Sequence, residues 1–347
     1  MNPAQLHARA STGRAGLPEP CGPLSALITS ALADPHAGSP EAEEVNRLVA
    51  TVADPLGDDD LHLALYTCYE LHYRSFEGVD DTHEWDPALL ACRIAMEEAF
   101  LGALKAAVGE FPVPEPAQIG EALFELEKHD DGPSLSRYIE TQADAEQFCE
   151  FVIHRSLYQL KEADPHSWAI PRLAGGPKCA LLEVQSDEYG GGRPERIHAR
   201  LFANTMDALG LDRRENAYLD HVPGTTLATV NLMSAFGLRR SLRGAIVGHL
   251  AMFEMTSSLP NGRYANGLRR LGFGEAATDF YDEHVEADAV HENIAAYDLA
   301  GGLARDEPGL ARDIMFGARA LLLIEARFGH ALLDAWKASS SSLRTSL

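Results

Sequence analysis

His284-Val285-Glu286-Ala287-Asp288-Ala289-Val290-His291 is the stretch on which the reading of this chain turns. It lies in a segment, 276–303, that reads as helical. On a helix turning about 100° per residue, positions 284, 288 and 291 fall within roughly 60° of one another. His284, Asp288 and His291 therefore share one face. Two imidazoles and a carboxylate suit iron, manganese or zinc, and mixed nitrogen and oxygen donors favour a transition metal over calcium. The blander reading is a polar face that happens to hold two histidines, in a chain with 14 His and 52 Asp plus Glu.

Outward from that stretch the period stays helical. Segments 309–337, 238–257, 225–234, 194–209, 178–189 and 143–163 all read as helices. Three of their ends carry clear stop signals: Gly210, the run Gly190 to Gly192, and Asp164-Pro165. Further back, 61–76 places Leu61, Leu65, Cys68, Tyr69 and Tyr73 at helical spacing, and 87–108 stops at Gly109 and the series Pro112, Pro114, Pro116. Alternating apolar and polar text is scarce. Asp187 to Gly192 is glycine-rich but lacks the order and the preceding strand of a phosphate cradle. The predicted class is all-α. The predicted organisation is a loose segment 1–40, a helical part 41–130, a main helical body 131–337 and a frayed tail 338–347.

One helix cannot surround a metal pair, so a bundle site needs carboxylates from facing helices. Glu254 stands in Leu250-Ala251-Met252-Phe253-Glu254-Met255, an acid among residues fit for burial, where an unpaired carboxylate is costly. Glu162 closes the helix holding Phe151, Leu157, Tyr158 and Leu160. Glu188 precedes the glycine run and His198 follows it. Singly, each also reads as an ordinary surface acid or a core histidine. As a set spanning about 143–303, they resemble the haem-oxygenase-like dimetal (diiron) oxidases. That family places a Glu on its first core helix, Glu and His on the second, Glu on the third and an H-x3-D-x2-H set on the fourth. The matching positions here are Glu162, then Glu188 and His198, then Glu254, then His284, Asp288 and His291. The set is similar to that of a three-His branch with N-oxygenating and azetidine-forming members.

The resemblance implies a haem-oxygenase-like helical bundle with extra N-terminal helices, which related enzymes use to form homodimers. It implies two Fe(II) ions held by those seven residues, O2 as cosubstrate and an external reductant. Carboxylates such as Glu188 and Asp288 can bridge two irons. It also implies a small amino acid or amine as substrate in specialised-metabolite (antibiotic) biosynthesis. N-oxygenation and C–H amination or desaturation, such as azetidine ring formation, are the candidate outcomes; the alternatives are desaturation or C–C cleavage of a fatty or amino acid, and an iron-binding helical protein without oxidase activity. No β-rich cupin domain follows the bundle, so a second reaction carried by one is not expected. The candidate substrate residues are Trp168, Arg239 and Arg243; the arginines could receive a substrate carboxylate or pair with acidic neighbours. His166 reads as a pocket residue or a loop cap, and His249 as a neighbour of the ligands.

Composition narrows the partners. With 52 Asp plus Glu against 29 Lys plus Arg, the formal charge is −23, which repels phosphate backbones and anionic lipid. Five scattered cysteines contain no CxxC pair, so neither a disulfide framework nor a thiolate zinc site is expected. The first residues lack an apolar secretory core, and no run of about eighteen apolar residues occurs. The expectation is a cytoplasmic protein with neither nucleic acid nor membrane as partner.

Overall fold

The computed structural model describes residues 14–34 and 40–347, with the side chains of 286–290 excepted. Among the described residues every regular element is a helix and none is a strand, so the all-α class holds. None of these helices is long and apolar enough to cross a membrane.

Of the expected loose segment 1–40, residues 1–13 and 35–39 lie outside the described residues, and within the rest Pro23–Ala33 is a helix. Its first turn is capped from another element. The Asp60 carboxylate accepts from the backbone N–H of Leu24 at 2.8 Å and of Ser25 at 2.7 Å. Pro23 sits where a missing N–H costs nothing. Leu24, Ile28 and Leu32 are buried beneath it. Local periodicity cannot reveal a cap that lies some 35 positions away.

Asp59–Glu70 is capped by Asp58, whose carboxylate accepts from Leu61 N–H. Leu61, Leu63, Ala64, Leu65 and Tyr66 are all buried, so this helix is covered on every side and not only along a stripe. It packs between Pro23–Ala33 and Gly224–Leu238. At its end Glu70 accepts from the buried Lys161 ammonium at 2.5 Å. Pro87–Val108 has the expected bounds, with Asp86 as its cap. Ala42–Val49, Ile119–Lys128, Leu135–Thr141 and Ser258–Arg270 are helices that the sequence period left unassigned.

The body begins with Ala145–Gln159, opened by a capping box between Asp144 and Gln147. This helix ends before Glu162, earlier than the expected 163. The chain turns through Ala163, whose φ of 72° is left-handed, into the short helix Asp164–Ser167. Gly175–Glu188 follows, then the glycine turn, then His198–Ala208. Gly224–Leu238 and Arg243–Met255 come next, separated by a 3-10 turn. Glu275–Asn293 then runs without a break into a π-helical turn, Ile294–Ala300, and on into Gly301–Asp306. Ala311–Lys337 is the last helix.

Two glycines set the closest crossing. A Cβ on Gly248 would lie 1.8 Å from the Ile314 carbonyl oxygen, and one on Gly317 would lie 2.0 Å from that of Ala245. Arg243–Met255 and Ala311–Lys337 therefore meet backbone to backbone. The residues around this crossing belong to the first of two apolar cores, which extends from Leu24 to Ile324, while the second runs from Leu135 to Trp336. Each fully buried Leu or Phe in them contributes about 1.5–3 kcal/mol. Tyr158 belongs to the first core, whereas Leu160 and Phe280 belong to the second, so Glu162 and His284 lie where the cores meet. Residues 338–347 carry no helix, yet they are tethered: the Glu150 carboxylate accepts from Ser342 N–H at 2.9 Å and from its hydroxyl at 2.6 Å.

Burial holds three histidines uncharged. Desolvation lowers His62 to about 4, His154 to about 3 and His166 to about 4. Unfolded, each binds a proton below about 6.5, so acid favours the unfolded chain. The stabilisation is complete above that value and is lost as pH falls toward the folded values. Each site is expected to withdraw on the order of 1–2 kcal/mol between pH 7 and 5. Urea unfolding of iron-free protein should show a lower midpoint at pH 5 than at pH 7, and an equal midpoint would contradict this.

Candidate metal centre

The donor atoms of Glu162, Glu188, His198 and His284 all lie within 4.8 Å of one another, and those of Glu188, Glu254 and His291 form a second such set. Glu188 belongs to both. All six residues are buried. Asp288, the seventh sequence candidate, has a side chain outside the described residues; its backbone continues the helix between His284 and His291.

Each side chain arrives by a separate device. Glu162 projects from the turn that the left-handed Ala163 closes, and the Gln185 amide pins that turn by donating to the Ala163 carbonyl at 2.9 Å. Glu188 is the last residue of its helix, and His198 is the first of the next. Between them Gly190 has a φ of 73°, and a Cβ there would meet Ile197 N at 2.7 Å. Only glycine permits so tight a return. It sets His198 Nδ1 2.9 Å from Glu188 Oε2. Glu254 lies one residue from the end of Arg243–Met255. His284 and His291 come from one helix face, as their spacing predicts.

The imidazoles are oriented from behind. His284 Nδ1 donates to the Phe280 carbonyl at 2.8 Å, which leaves Nε2 facing Glu162 Oε1 at 3.6 Å. His291 Nε2 donates to Asp187 at 3.0 Å, with Nδ1 toward Glu254 Oε2 at 3.4 Å. Asp187 was not a sequence candidate, and its place beside Glu188 is the only textual hint. Asp187→Asn should weaken Fe(II) binding about 10–100-fold, read by competition with a coloured chelator. Unchanged affinity would mean that Asp187 does not orient the ring.

Electrostatics test whether a cation fits. Glu162 Oε2 is buried without a hydrogen-bond partner, and the contacts of His198 Nδ1 with Glu188 Oε2 and of His291 Nδ1 with Glu254 Oε2 are too poorly aligned to satisfy those atoms. Such atoms are rare in folded proteins and call for a compensating group. Burial pushes Glu162 and Glu254 above the ordinary carboxylate range. Burial opposes ionisation of Glu188 as well, but the His198 imidazole and then His284 outweigh it and hold Glu188 at about 2. Burial would lower His291, yet Glu254 and Asp187 raise it to about 9. The carboxylates beside His291 are thus balanced by the protons of that imidazole. A divalent metal replaces those protons with charge of the same sign. The nitrogen and oxygen donors fit iron.

A narrow cavity opens on this cluster, with Tyr158, His166, Gln185, Leu250 and Phe253 in its walls beside Glu162, Glu188, Glu254 and His284. His166 therefore is a pocket residue, and its Nε2 lies 3.1 Å from Nδ1 of the buried His249. The three substrate candidates are not brought here. Trp168 packs edge-on to Tyr73 with ring centres 6.5 Å apart. Arg239 is paired with the fully buried Glu97, and Arg243 with Glu307. Their guanidiniums serve carboxylates of this chain, as the alternative reading of the basic group held.

Comparisons with known proteins agree with this construction. A profile described as iron-containing redox enzyme matches residues 149–326. Nitrosourea synthase of Streptomyces achromogenes subsp. streptozoticus is 29% identical over 138 residues, which is 39% of this chain. The chain spans only 29% of that enzyme's length. Among solved structures, a CADD-like protein of unknown function from Nostoc punctiforme PCC 73102 superposes with a TM-score of 0.50 at 17% identity, over 63% of this chain and 97% of that one. That likeness establishes the shared helical bundle. The profile covers every described residue of the cluster, and the chain belongs to the iron-containing redox enzymes of haem-oxygenase-like fold.

Proposed function

We propose that this protein is a non-haem diiron oxidase that uses O2 on a small amino acid or amine in specialised metabolism. The observation that carries the reading is the membership of Glu188 in two buried donor sets at once. Glu162, His198 and His284 would hold one iron, Glu254 and His291 the other, and Glu188 would bridge them. Asp288, whose side chain lies outside the described residues, would be a further donor if the resemblance holds at that position. Two ferrous ions so held would supply electrons and open coordination positions to O2. The chain's own contribution is to exclude water and to position the substrate. Phe253, Tyr158 and Leu250 supply the apolar part of the cavity wall, beside the polar His166 and Gln185.

The test has two stages. Anaerobic Fe(II) titration should saturate at two ions per chain. Loaded protein, given O2, a reductant and candidate amino acids or amines, should then consume O2 in a substrate-dependent way. A product heavier by one or two oxygens identifies N-oxygenation, and loss of two hydrogens identifies desaturation or ring closure. Iron uptake with no substrate-dependent O2 consumption would overturn the oxidase reading in favour of an iron-binding protein.

A further inference from the structure

A second small cavity adjoins the metal cavity, and a pair of histidines stands between the two. His166 is in the wall of the metal cavity and His249 in the wall of its neighbour. His166 Nε2 and His249 Nδ1 are 3.1 Å apart, a hydrogen bond between imidazoles whose residues are 1% and 3% exposed. The direct way between the cavities is shut. Tyr158 and Phe253, which line both, meet edge to face with ring centres 5.5 Å apart. The second cavity has room for about one water, and His154, Arg155, Thr229 and Glu325 offer that water polar partners. Arg155 and Glu325 also reach solvent, with side chains 20% and 28% exposed.

Burial lowers both histidines far enough that they stay uncharged at neutral pH. Each neutral ring carries one N–H and one acceptor nitrogen. Their mutual bond uses one nitrogen of each and leaves His249 Nε2 and His166 Nδ1. When His249 Nδ1 is the donor, His249 Nε2 is an acceptor and His166 Nδ1 carries a proton. A proton taken up at His249 Nε2 then moves the shared proton onto His166 Nε2 and frees the one on His166 Nδ1. One proton enters at one end and a different one leaves at the other. Reorientation of the rings restores the first state.

We infer that the water space of the second cavity, His249 and His166 form a proton relay from solvent into the metal cavity. The inference rests on the diiron reading above and adds to it the route of its protons. With two electrons from an external reductant and two from the substrate, reduction of O2 takes two protons from solvent. In N-oxygenation one oxygen atom enters the amine and the other leaves as water with those two protons. In desaturation both oxygens leave as water, two hydrogens coming from the substrate and two from solvent. The Tyr158–Phe253 contact blocks a direct water path from the second cavity, whereas the bonded imidazoles pass a proton without passing a molecule.

The test reads proton movement both without and with turnover. In Zn(II)-loaded protein containing 15N-histidine, the ring N–H protons of His166 and His249 should exchange with water on the NMR timescale. Thr229→Ile fills the one-water space and should slow that exchange about tenfold or more. Equally fast exchange in Thr229→Ile overturns the relay. In iron-loaded protein, His249→Phe keeps an aromatic ring and should still bind two Fe(II), while substrate-dependent O2 consumption falls about 100-fold, the low end of what positioned proton transfer contributes. In His249→Ala, added imidazole should restore the rate, and pyrrole, a similar ring without an acceptor nitrogen, should not. Restoration by both would leave His249 a packing role alone, and an unchanged rate in His249→Phe would equally defeat the relay. Wild-type protein that binds two Fe(II) but consumes no O2 sinks the oxidase reading instead, and the exchange measurement, which needs no oxidation, tells the two failures apart.

Discussion

Glu188→Ala is expected to cost the protein both irons at once, whereas His284→Ala and Glu254→Ala each cost one. The difference follows from geometry. Glu188 lies within reach of Glu162, His198 and His284 on one side and of Glu254 and His291 on the other. Without it, each of two irons held as proposed would lose a charged oxygen donor, and the ions would lose a carboxylate lying between them. Replacement of an outer-shell partner already costs 10–100-fold in affinity, so loss of a shared ligand should exceed about 100-fold at each site. His284→Ala removes a donor from the first set and leaves Glu188, Glu254 and His291 in place. Glu254→Ala does the converse. Anaerobic Fe(II) titration should give two ions per chain for the wild type, one for each outer variant and none at micromolar metal for Glu188→Ala. Retention of one tight ion in Glu188→Ala would show that the two sets do not share it.

Gly317→Ala is expected to destabilise the fold by about 3 kcal/mol or more, at the upper end of overpacking substitutions. The added methyl would lie 2.0 Å from the Ala245 carbonyl oxygen, a backbone atom that no rotamer change can move. The whole helix Arg243–Met255 must back away. Gly248→Ala poses the same problem from the other side, where the Ile314 carbonyl oxygen is 1.8 Å distant. Because Glu254 rides on the displaced helix, iron affinity should fall along with stability, although neither glycine touches the cluster. Chemical denaturation of the metal-free variants measures the first effect and Fe(II) titration the second. A Gly317→Ala protein with wild-type stability would mean that the crossing is looser than its backbone contacts require.

The legible part of the site and the illegible part differ in how local their causes are. His284 and His291 could be paired from text because seven positions on one uninterrupted helix return nearly to the same face. Glu254 stood out because its neighbours Met252, Phe253 and Met255 announce burial. The approach of Glu188 to His198 was harder: it depends on Gly190 folding the chain back upon Ile197, a contact that no helical period encodes. Glu162 was placed on a helix and sits instead on the turn after it, because Ala163 adopts a left-handed conformation that its residue type does not advertise. Asp187 and Gln185, which hold the ring of His291 and the Glu162 turn, act through contacts far apart in sequence. The arginines near 240 show the opposite failure. Their clustering invited a ligand, yet the acids that occupy them come from Glu97 and Glu307, which no local window includes.

The π-helical turn at Ile294–Ala300 has an evolutionary consequence. A π turn accommodates one residue more than the α-helix around it. Loss of a single codon from that segment would let the helix close in α register with the residues on both sides keeping their faces, because the turn already absorbs the extra residue. Leu303 and Ala304, buried beyond the turn, would keep their seats in the core, and His284 and His291 before it would keep theirs at the cavity. A change of one residue in chain length is therefore tolerated at this turn. In this architecture the helix that carries both histidines can gain or lose a residue there without surrendering the metal site.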